Sequence, residues 1–424
     1  MTLRMSMPSL VNAHTHSAYG PHFKGVIPAQ PFESYMIEIS VRYFRPETPQ
    51  EAAAFALVTG LDNLSAGHSA IIDSSSVPLT KEHLYAVAQA YEDLGLKAWI
   101  FSEIADLPIL FYTREAYPRY PHAIPLRNLP ADLQEMCAVE DDYRDQLNAL
   151  QGLIRGWQGE RVKIGVGITN PVWCSDALIR DATDLARLMD VPISFHVEES
   201  PLQRKVHMAQ WGMSGIRRAA ELGALGQRTL LIHAVQVDEA DIALIAKSGS
   251  AVCHAPISNL KIRNGIAPVG KMISAGINVC LGTDGHSVAD VEDLFPVMKF
   301  VTALADQNGI ASLGGLAEDV ALRMATENGY SLWFEGDFSQ DRIEFSSPIG
   351  PFGHVWDAPA SKISEVYIDG VPRLAEARAM VASRGAHELV ALWNQRILGW
   401  ETEHRARTLA RWVEETTKAW LAEQ

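Results

Sequence analysis

Eight short apolar segments that alternate with longer segments of helical periodicity are the feature that most constrains how this chain can fold. The strand candidates are Ser9–Ala13, Ala70–Asp73, Lys97–Phe101, Val162–Ile168, Val191–Phe195, Thr229–Ile232, Ser250–Cys253 and Ile277–Leu281. Strands separated by helices predict an all-parallel sheet, and eight of them close most simply into a (β/α)8 barrel. An open doubly wound sheet is the alternative, but VNAHTHSAYG at the first strand is not the glycine-rich phosphate loop expected there.

The helix candidates between these strands carry their own end signals. They are Gln50–Ala66, Lys81–Leu94, Asp176–Met189, Ser214–Leu222, Asp238–Lys247 and Ile266–Ala275. Ser175 is a suitable N-cap for the third of them. Gly67 and Gly95 follow helix ends, where a residue in the left-handed conformation is common. The local signals therefore agree with the barrel pattern.

A long segment interrupts the alternation after the third strand. Residues 104–145 are rich in Pro and Tyr. In a barrel this segment follows the carboxyl end of a strand and would lie at the catalytic mouth. Because long loops of this kind often carry function, we expect a lid or a substrate-binding loop.

The pattern changes again near residue 340. Ile363–Ile368 followed by Asp369-Gly370 predicts a strand and a turn, and residues 386–424 predict helix with tryptophans on its apolar positions. We expect these tryptophans to serve packing or subunit contacts. The predicted division is a barrel over residues 1–340, then a small β segment and a C-terminal helical region over residues 341–424.

The composition excludes several classes of function. The chain has 36 Lys and Arg against 51 Asp and Glu, a net charge of −15. We therefore expect no nucleic-acid or membrane-surface partner, since both need basic surfaces. The N-terminus lacks the apolar core of a signal peptide, and no apolar run is long enough to span a membrane. Four cysteines without a CxxC pair fit a cytoplasmic protein with reduced thiols. The sequence leaves open whether the protein forms a homo-oligomer.

Polar side chains stand where the predicted strands end, which is the edge of a barrel where active sites form. They are His14, His16, Asp73, His196, Glu199, His233, His254 and Asp284. His14 and His16 point to the same side of an extended strand and make half of a metal site. Such a pair is weak by itself, whereas histidines and an aspartate at several strand ends predict a site for a single metal ion. Asp73 is better explained as a structural hydrogen-bonding group.

Six motifs follow one another across residues 8–335. They read PSLVNAHTHS (8–17), FHVEES (195–200), LLIHAVQVD (230–238), CHAPISNLKIRNGIAPV (253–269), GINVCLGTDGHS (276–287) and LRMATENGYSL (322–332). In these motifs the chain resembles the amidohydrolase superfamily. The resemblance is to the branch acting on heterocyclic rings, which includes methylthioadenosine/S-adenosylhomocysteine deaminases and triazine chlorohydrolases. It implies the barrel fold and a metal-dependent hydrolase of carbon–nitrogen bonds.

The resemblance implies the metal ligands position by position. His14, His16 and His196 match the family's metal-binding histidines, and Asp284 matches its aspartate at the last strand. Three imidazoles and one carboxylate suit zinc or ferrous iron, and we expect zinc. Binuclear relatives bridge two ions with a modified lysine at the end of the fourth strand. That strand here ends without a lysine (VKIGVGITNP), so we expect one divalent metal.

The resemblance also implies the catalytic roles. Glu199 matches the glutamate of the HxxE motif, which shuttles protons to the ring nitrogen and then to the departing amine. His233 matches a histidine that orients the attacking water and the substrate and stabilises developing charge. Asp284 accepts the proton of the water. The implied reaction converts an amino-substituted purine, pterin, pyrimidine or triazine-like ring into a ring carbonyl and ammonia.

The substrate itself is not specified by the sequence. Candidate contacts are Gln30, Phe111, Arg114, Trp173, His254 and His286, of which the two histidines could equally serve buried hydrogen bonds or loop packing. The same catalytic residues could displace halide or alkylamine or open a cyclic amide. The presence of Glu199 favours a nitrogen leaving group, because an amine must be protonated before it departs. A non-catalytic binding protein built on the barrel is the alternative from another class.

The chain departs from the family outside the barrel. Family members carry a segment before the HxH strand that builds half of a small β-sandwich. Here the first strand begins close to Met1, so we expect that half to be missing. The segment SKISEVYIDGVPRL (361–374) keeps part of the other half, which predicts a truncated β appendage.

Overall fold

Parallel strands in sequence order form the centre of the structure, a computed structural model that describes residues 6–42, 46–109, 111–129, 133–134, 137, 142–346 and 360–398. The barrel strands are β2 (Leu10–Thr15), β3 (His68–Ser75), β4 (Lys97–Ile104), β5 (Val162–Ile168), β6 (Ile193–Val197), β7 (Thr229–His233), β8 (Ala251–His254) and β9 (Val279–Leu281). Each pairs with the next in sequence. After β9, the backbone N–H groups of Thr283 and Asp284 donate to the His14 carbonyl at 3.1 and 2.9 Å, which closes the ring. The predicted (β/α)8 barrel is confirmed.

The strands of this barrel are buried on both faces. Every residue of β2, β3 and β7 is buried, as expected for parallel strands covered by helices. Inside the barrel, Ala13, Ile72, Phe101, Leu230 and Ile232 belong to one apolar cluster. Because the interior is filled with apolar side chains, an active site can form only at the ends of the strands.

Helices follow the strands at nearly the predicted positions. In chain order they are α1 (Phe32–Arg42), α2 (Pro49–Ser65), α3 (Lys81–Leu94), α4 (Tyr143–Gly156), α5 (Asp176–Met189), α6 (Pro201–Trp211), α7 (Gly215–Glu221), α8 (Glu239–Ser248), α9 (Pro256–Lys261), α10 (Val269–Ser274), α11 (His286–Ala289), α12 (Leu294–Ala303), α13 (Ala317–Ala325), α14 (Glu327–Tyr330), α15 (Leu374–Ser383) and α16 (Ala386–Ile397). Ser175 caps α5 by accepting from the Leu178 N–H, and Gly95 ends α3 at φ 69°. Across the described residues, every helix is too short or too polar to cross a membrane.

A second, antiparallel sheet joins segments from the two parts of the sequence. It consists of β1 (Ser6–Pro8), β10 (Arg342–Phe345), β11 (Ile363–Ile368) and β12 (Val371–Pro372). The predicted strand and turn at β11 are confirmed, and Asp369 and Gly370 both have positive φ, 52° and 76°. The sequence did not indicate β1 and β10, since each is too short to show periodicity. The division of the chain near residue 340 stays a prediction.

Lys97 connects this sheet to the barrel. At the start of β4 its ammonium lies 2.9 Å from an Asp341 carboxylate oxygen, 2.8 Å from one of Asp369 and 3.0 Å from the Tyr330 hydroxyl. Asp341 is fully buried. The two sheets are therefore connected by the buried Lys97–Asp341 ion pair, to which the partly exposed Asp369 adds a second carboxylate.

The C-terminal helix packs back onto the barrel. Trp393 of α16 is buried, its ring lies 5.6 Å from that of Phe55, and its indole N–H donates to Glu51 at 3.1 Å. This agrees with a packing role for that tryptophan. The other tryptophans of the predicted helix, at 400, 412 and 420, lie outside the described residues.

Candidate metal centre and active site

Four side chains from three regions of the barrel converge at the carboxyl ends of the strands. His14 Nε2 lies 3.0 Å from Asp284 Oδ1, His16 Nε2 lies 3.4 Å from the same oxygen, and His196 Nε2 lies 3.3 Å from His14 Nε2. One donor atom from each of the four residues lies within 4.8 Å of the other three, and all four residues are buried. The structure thus brings together the four residues that the sequence predicted as metal ligands, in an arrangement that could hold a metal ion.

The spacing of these atoms fits one ion. Zinc bound by tetrahedral nitrogen and oxygen ligands at 2.0–2.1 Å would hold those ligands about 3.3 Å apart. Three of the six donor separations, 3.0, 3.3 and 3.4 Å, lie close to that value, and all six are within 4.8 Å. Among the described residues at the end of β5, no lysine is present to bridge a second ion, since Ile168 is followed by Thr169 and Asn170.

Hydrogen bonds at the other ring nitrogens turn the Nε2 atoms toward the centre. His16 Nδ1 lies 2.7 Å from the Ser74 carbonyl, and His196 Nδ1 lies 3.0 Å from the Thr169 carbonyl. His14 Nδ1 lies 3.4 Å from the Ser74 hydroxyl. A carbonyl accepts only from Nδ1–H, so His16 and His196 are held in the tautomer that leaves Nε2 free to bind a metal.

Asp284 divides its two oxygens between the ligand cluster and the catalytic side. Oδ1 faces His14 and His16, whereas Oδ2 accepts a short hydrogen bond from Ser258 and lies 3.7 Å from His233 Nε2. Burial alone would raise the pKa of Asp284, but the hydrogen bond and charge of His14 and the neighbouring histidines hold that pKa well below its usual range. The carboxylate therefore stays ionised.

Glu199 and His233 face each other beside this cluster. Glu199 Oε1 lies 3.4 Å from His233 Nε2 and 3.3 Å from the amide nitrogen of Asn264. Burial raises the pKa of Glu199 to about 8, and the charges of Asp284 and Glu33 act in the same direction. The charge of His196 acts in the opposite direction. A carboxyl group with this pKa carries a proton near neutral pH, as a general acid requires.

His233 is held in an uncommon backbone conformation. Its φ is +72°, in the left-handed region, and Asp284 has φ +66°. Its Nδ1 lies 2.9 Å from Asn259 Oδ1, and burial holds the pKa of the imidazole well below its usual value. The neutral ring therefore donates from Nδ1 to Asn259 and presents Nε2 as an acceptor. Backbone strain of this kind is concentrated at functional sites.

Ser258 and Asn259 hold two residues of the candidate site through their side chains. The Ser258 hydroxyl donates to Asp284, and Asn259 Oδ1 contacts His233 Nδ1. Both residues follow β8 in α9, so one short helix orients Asp284 and His233.

An aromatic cluster lies over the carboxyl ends of the strands. Its aromatic members are Phe23, Phe32, Tyr35, Tyr112, Tyr117, Tyr120 and Trp173. Phe32 and Trp173 stack at 6.1 Å with an interplanar angle of 14°, and the Tyr117 hydroxyl donates to the Val172 carbonyl at 2.9 Å. Three of the tyrosines come from the segment 104–145, so that segment packs at the predicted mouth. Its action as a lid stays a prediction.

The candidate substrate contacts occupy different places. Trp173 is buried in the aromatic cluster. The Gln30 side-chain amide donates to Glu38 at 2.6 Å. Phe111 is buried in a neighbouring apolar cluster with Ile37 and Leu129, and Arg114 is exposed.

The two candidate histidines differ in their partners. His286 lies between two carboxylates, with Nε2 at 2.8 Å from Asp62 and Nδ1 at 3.3 Å from Glu292. His254 is buried at the end of β8, and burial lowers its pKa to about 4. Asp73 accepts hydrogen bonds from Ser17 and from the Tyr91 hydroxyl, which is the structural role expected of it.

Sequence reasoning missed three acidic residues of the site. Glu103 contacts His196 Nδ1 at 3.2 Å. Glu292 accepts from the hydroxyls of Thr15 and Thr283 at 2.7 and 2.6 Å, which joins the first and last barrel strands. Glu33 accepts from the Ser200 hydroxyl at 2.6 Å, and burial raises its pKa. Only Glu103 had a usable signal, because the predicted third strand stopped two residues before it.

Comparison with known families agrees with this geometry. Residues 5–332 match the model of the amidohydrolase family. The chain belongs to the amidohydrolase family. The resemblance seen in the six sequence motifs is therefore confirmed. The matched residues include the barrel strands and the four candidate metal ligands.

Individual relatives extend the comparison. This amidohydrolase is 36% identical over 185 residues to a 5'-deoxyadenosine deaminase of Methanothrix thermoacetophila. The aligned region is 43% of this chain and 45% of that protein. It is 28% identical over 328 residues to a 5-methylthioadenosine/S-adenosylhomocysteine deaminase of Thermococcus kodakarensis. That aligned region is 77% of this chain and 69% of that protein.

A solved structure supports the fold. An adenosine deaminase from Xanthomonas campestris with bound zinc superposes with a TM-score of 0.72 at 22% identity, over 93% of this chain and 86% of that protein. At this identity the likeness concerns the fold, which both chains share.

Proposed function

We propose that this amidohydrolase is a hydrolytic deaminase that removes the exocyclic amino group of a nitrogen heterocycle, with a purine of the adenosine type as the first candidate. One observation carries the proposal. Glu199, with a pKa of about 8, lies 3.4 Å from His233 and directly beside the metal-ligand cluster. Proton delivery to nitrogen is what deamination demands of a site that otherwise only activates water. The deaminases named among its relatives support the same reaction class.

We propose one divalent ion at His14, His16, His196 and Asp284, with zinc preferred to ferrous iron. The donor set and its spacing support this choice, and so does the zinc in the adenosine deaminase of the same fold. When bound, the ion supplies Lewis acidity that makes water a nucleophile near neutral pH. Metal analysis of the purified protein should give about one ion per chain, and His16→Ala should remove it.

The chain's own side chains then divide the proton transfers. Asp284 Oδ2, which faces His233 rather than the ligand cluster, can receive a proton from the attacking water. His233 Nε2, an acceptor while Nδ1 is bound to Asn259, can orient that water. Glu199 can donate its proton to the ring nitrogen, and the proton that Asp284 received from the water can pass to the departing amine. The remaining proton of the added hydroxyl returns to Glu199 as the ring carbonyl forms. Water thus adds its oxygen to the ring carbon, the carbon–nitrogen bond breaks, and ammonia leaves.

The test is ammonia release by zinc-loaded protein from a panel of heterocycles. The panel holds adenosine, 5'-deoxyadenosine, 5-methylthioadenosine, guanine and atrazine. At least one amino-substituted ring should release ammonia, and atrazine tests chloride as the leaving group. If zinc-loaded protein releases no ammonia from any member, the proposed deaminase function is wrong, and chloride release from atrazine alone would point to a halide leaving group instead.

Variants separate the shuttle from the metal. Glu199→Gln should keep zinc and lose turnover by a factor of about 10² to 10⁴, the usual contribution of a general acid. Glu160→Gln is the matched control, because Glu160 is exposed near the start of β5, at the opposite end of the barrel, and should keep full activity. Full activity in Glu199→Gln would remove the proton-shuttle assignment.

We also propose that the protein works in the cytoplasm on a small molecule. The four cysteines, Cys137, Cys174, Cys253 and Cys280, are all free and buried, which supports a reducing compartment. Cell fractionation with an antibody to the protein would test the location.

A further inference from the structure

Glu103 lies at the catalytic edge of the barrel, outside the set of residues that the family motifs cover. It is the penultimate residue of β4, and its side chain is 8% exposed. In the parallel register it is opposite Gly167 of β5. A Cβ at Gly167 would lie 2.5 Å from the Ser102 carbonyl oxygen, so glycine allows β4 and β5 to approach closely at this point.

Each oxygen of this carboxylate has a defined partner. Oε1 lies 3.2 Å from His196 Nδ1, and Oε2 accepts from the Ser76 hydroxyl at 2.8 Å. The His196 Nδ1 hydrogen-bonds to the neutral Thr169 carbonyl at 3.0 Å, and the charged Glu103 oxygen lies beside the same nitrogen. Ser76 fixes the carboxylate from its other side, so the contact does not depend on a freely rotating side chain.

The other two ligand histidines lack such a partner. His14 Nδ1 lies 3.4 Å from the Ser74 hydroxyl, and His16 Nδ1 contacts the Ser74 carbonyl at 2.7 Å and the Tyr19 hydroxyl at 2.8 Å. All of these partners are uncharged. Within the described part of the chain, His196 is thus the ligand histidine whose Nδ1 faces a carboxylate.

We propose that Glu103 is a positioning residue that holds His196 in its metal-binding tautomer and orientation and strengthens its bond to the ion. A carboxylate that accepts Nδ1–H fixes the proton on that nitrogen and increases the electron density that Nε2 offers to a metal. Partners of this kind change metal affinity by a factor of about 10 to 100. The proposal rests on the metal site proposed above.

The test measures zinc affinity of the metal-free protein by competition with a chromophoric chelator. Glu103→Ala should weaken zinc binding about 10- to 100-fold relative to the unaltered protein. Glu103→Gln should restore part of the loss, because an amide oxygen can still accept from Nδ1 but carries no charge. In the cobalt-substituted protein, Glu103→Ala should shift the visible absorption bands, since the His196 ring is no longer held.

Glu92→Gln is the control variant. The Glu92 carboxylate accepts from the backbone N–H groups of Arg161 and Val162 at 2.8 Å, at the start of β5 and far from the ligand cluster. This variant should lose thermal stability but bind zinc as tightly as the unaltered protein. It therefore separates a general loss of stability from a change at His196.

The outcomes distinguish this proposal from the metal assignment. If the unaltered protein binds no zinc, the metal site itself is wrong, and Glu103 has no ion to act upon. If it binds zinc and both Glu103 variants match its affinity and cobalt spectrum, only the positioning role is overturned. Should Glu103→Ala fail to fold, the comparison between Glu103→Gln and Glu92→Gln decides.

Discussion

His68 should make this barrel less stable in mild acid. It is the first residue of β3 and fully buried, and burial lowers its pKa from 6.5 to about 3, against a weaker opposing effect of the Asn63 backbone. The unfolded chain takes up a proton at this histidine near pH 6.5, whereas the folded protein does so only near pH 3. Between these values the unfolded state binds more protons, so stability falls as the pH falls.

The magnitude follows from these two pKa values. Between pH 7 and pH 5 the protonation of His68 in the unfolded chain alone should remove about 2 kcal/mol from the free energy of unfolding. With an unfolding entropy of about 2.1 cal/mol/K per residue over the whole chain, this corresponds to a decrease in Tm of about 2 °C.

Scanning calorimetry at pH 7 and pH 5 measures this contribution. His68→Gln replaces the imidazole with a side chain that does not titrate, so the variant's Tm should fall about 2 °C less between the two pH values. His387→Gln is the control, because His387 is exposed in α16 and its removal should leave the difference unchanged. If His68→Gln shows the same pH dependence as the unaltered protein, the argument from burial is refuted.

Further predictions concern the two ends of the barrel. Lys97→Met leaves the buried Asp341 without its cation and should lower the free energy of unfolding by about 3–5 kcal/mol; a loss under 1 kcal/mol in denaturant titration would contradict this. Gly282→Ala places a Cβ 2.8 Å from both His14 Cβ and Cys253 Sγ, which must displace His14. Zinc affinity should therefore fall at least about tenfold. Unchanged affinity in the chelator competition would count against this prediction. Removing zinc with a chelator should lower Tm, because an ion at about 1,000 times its Kd stabilises the folded state by about 4 kcal/mol; an unshifted calorimetric transition would exclude a tightly bound ion.

Much of the site could be predicted because a barrel brings the same end of every strand to one edge. His14, His196, His233 and Asp284 lie where the predicted strands end, and the structure brings them together. The periodicity that located the strands also located these residues. Short antiparallel strands such as β1 carry no comparable signal, because pairing with β10, distant in sequence, decides their conformation.

The partners of the candidate catalytic residues could not be predicted in this way. Ser258, Asn259 and Glu292 act through side-chain contacts that depend on how α9 and the loop after β9 return to the strand ends. Nothing in a single segment indicates which hydroxyl or amide will face Asp284 or His233. The left-handed backbone of these two residues is likewise imposed by their surroundings, since local propensity disfavours it.

By itself the sequence determined the barrel and the four candidate metal ligands through strand periodicity and strand-end chemistry, and the family through the resemblance of six motifs, because all of these are local properties of the chain. Only the tertiary structure decided that Glu103 contacts His196 and that Glu199, next to Asp284 and Glu33, has a raised pKa. Both depend on distances between strands that lie far apart in sequence and on exclusion of water. Those quantities exist only once the barrel has closed and its mouth is covered.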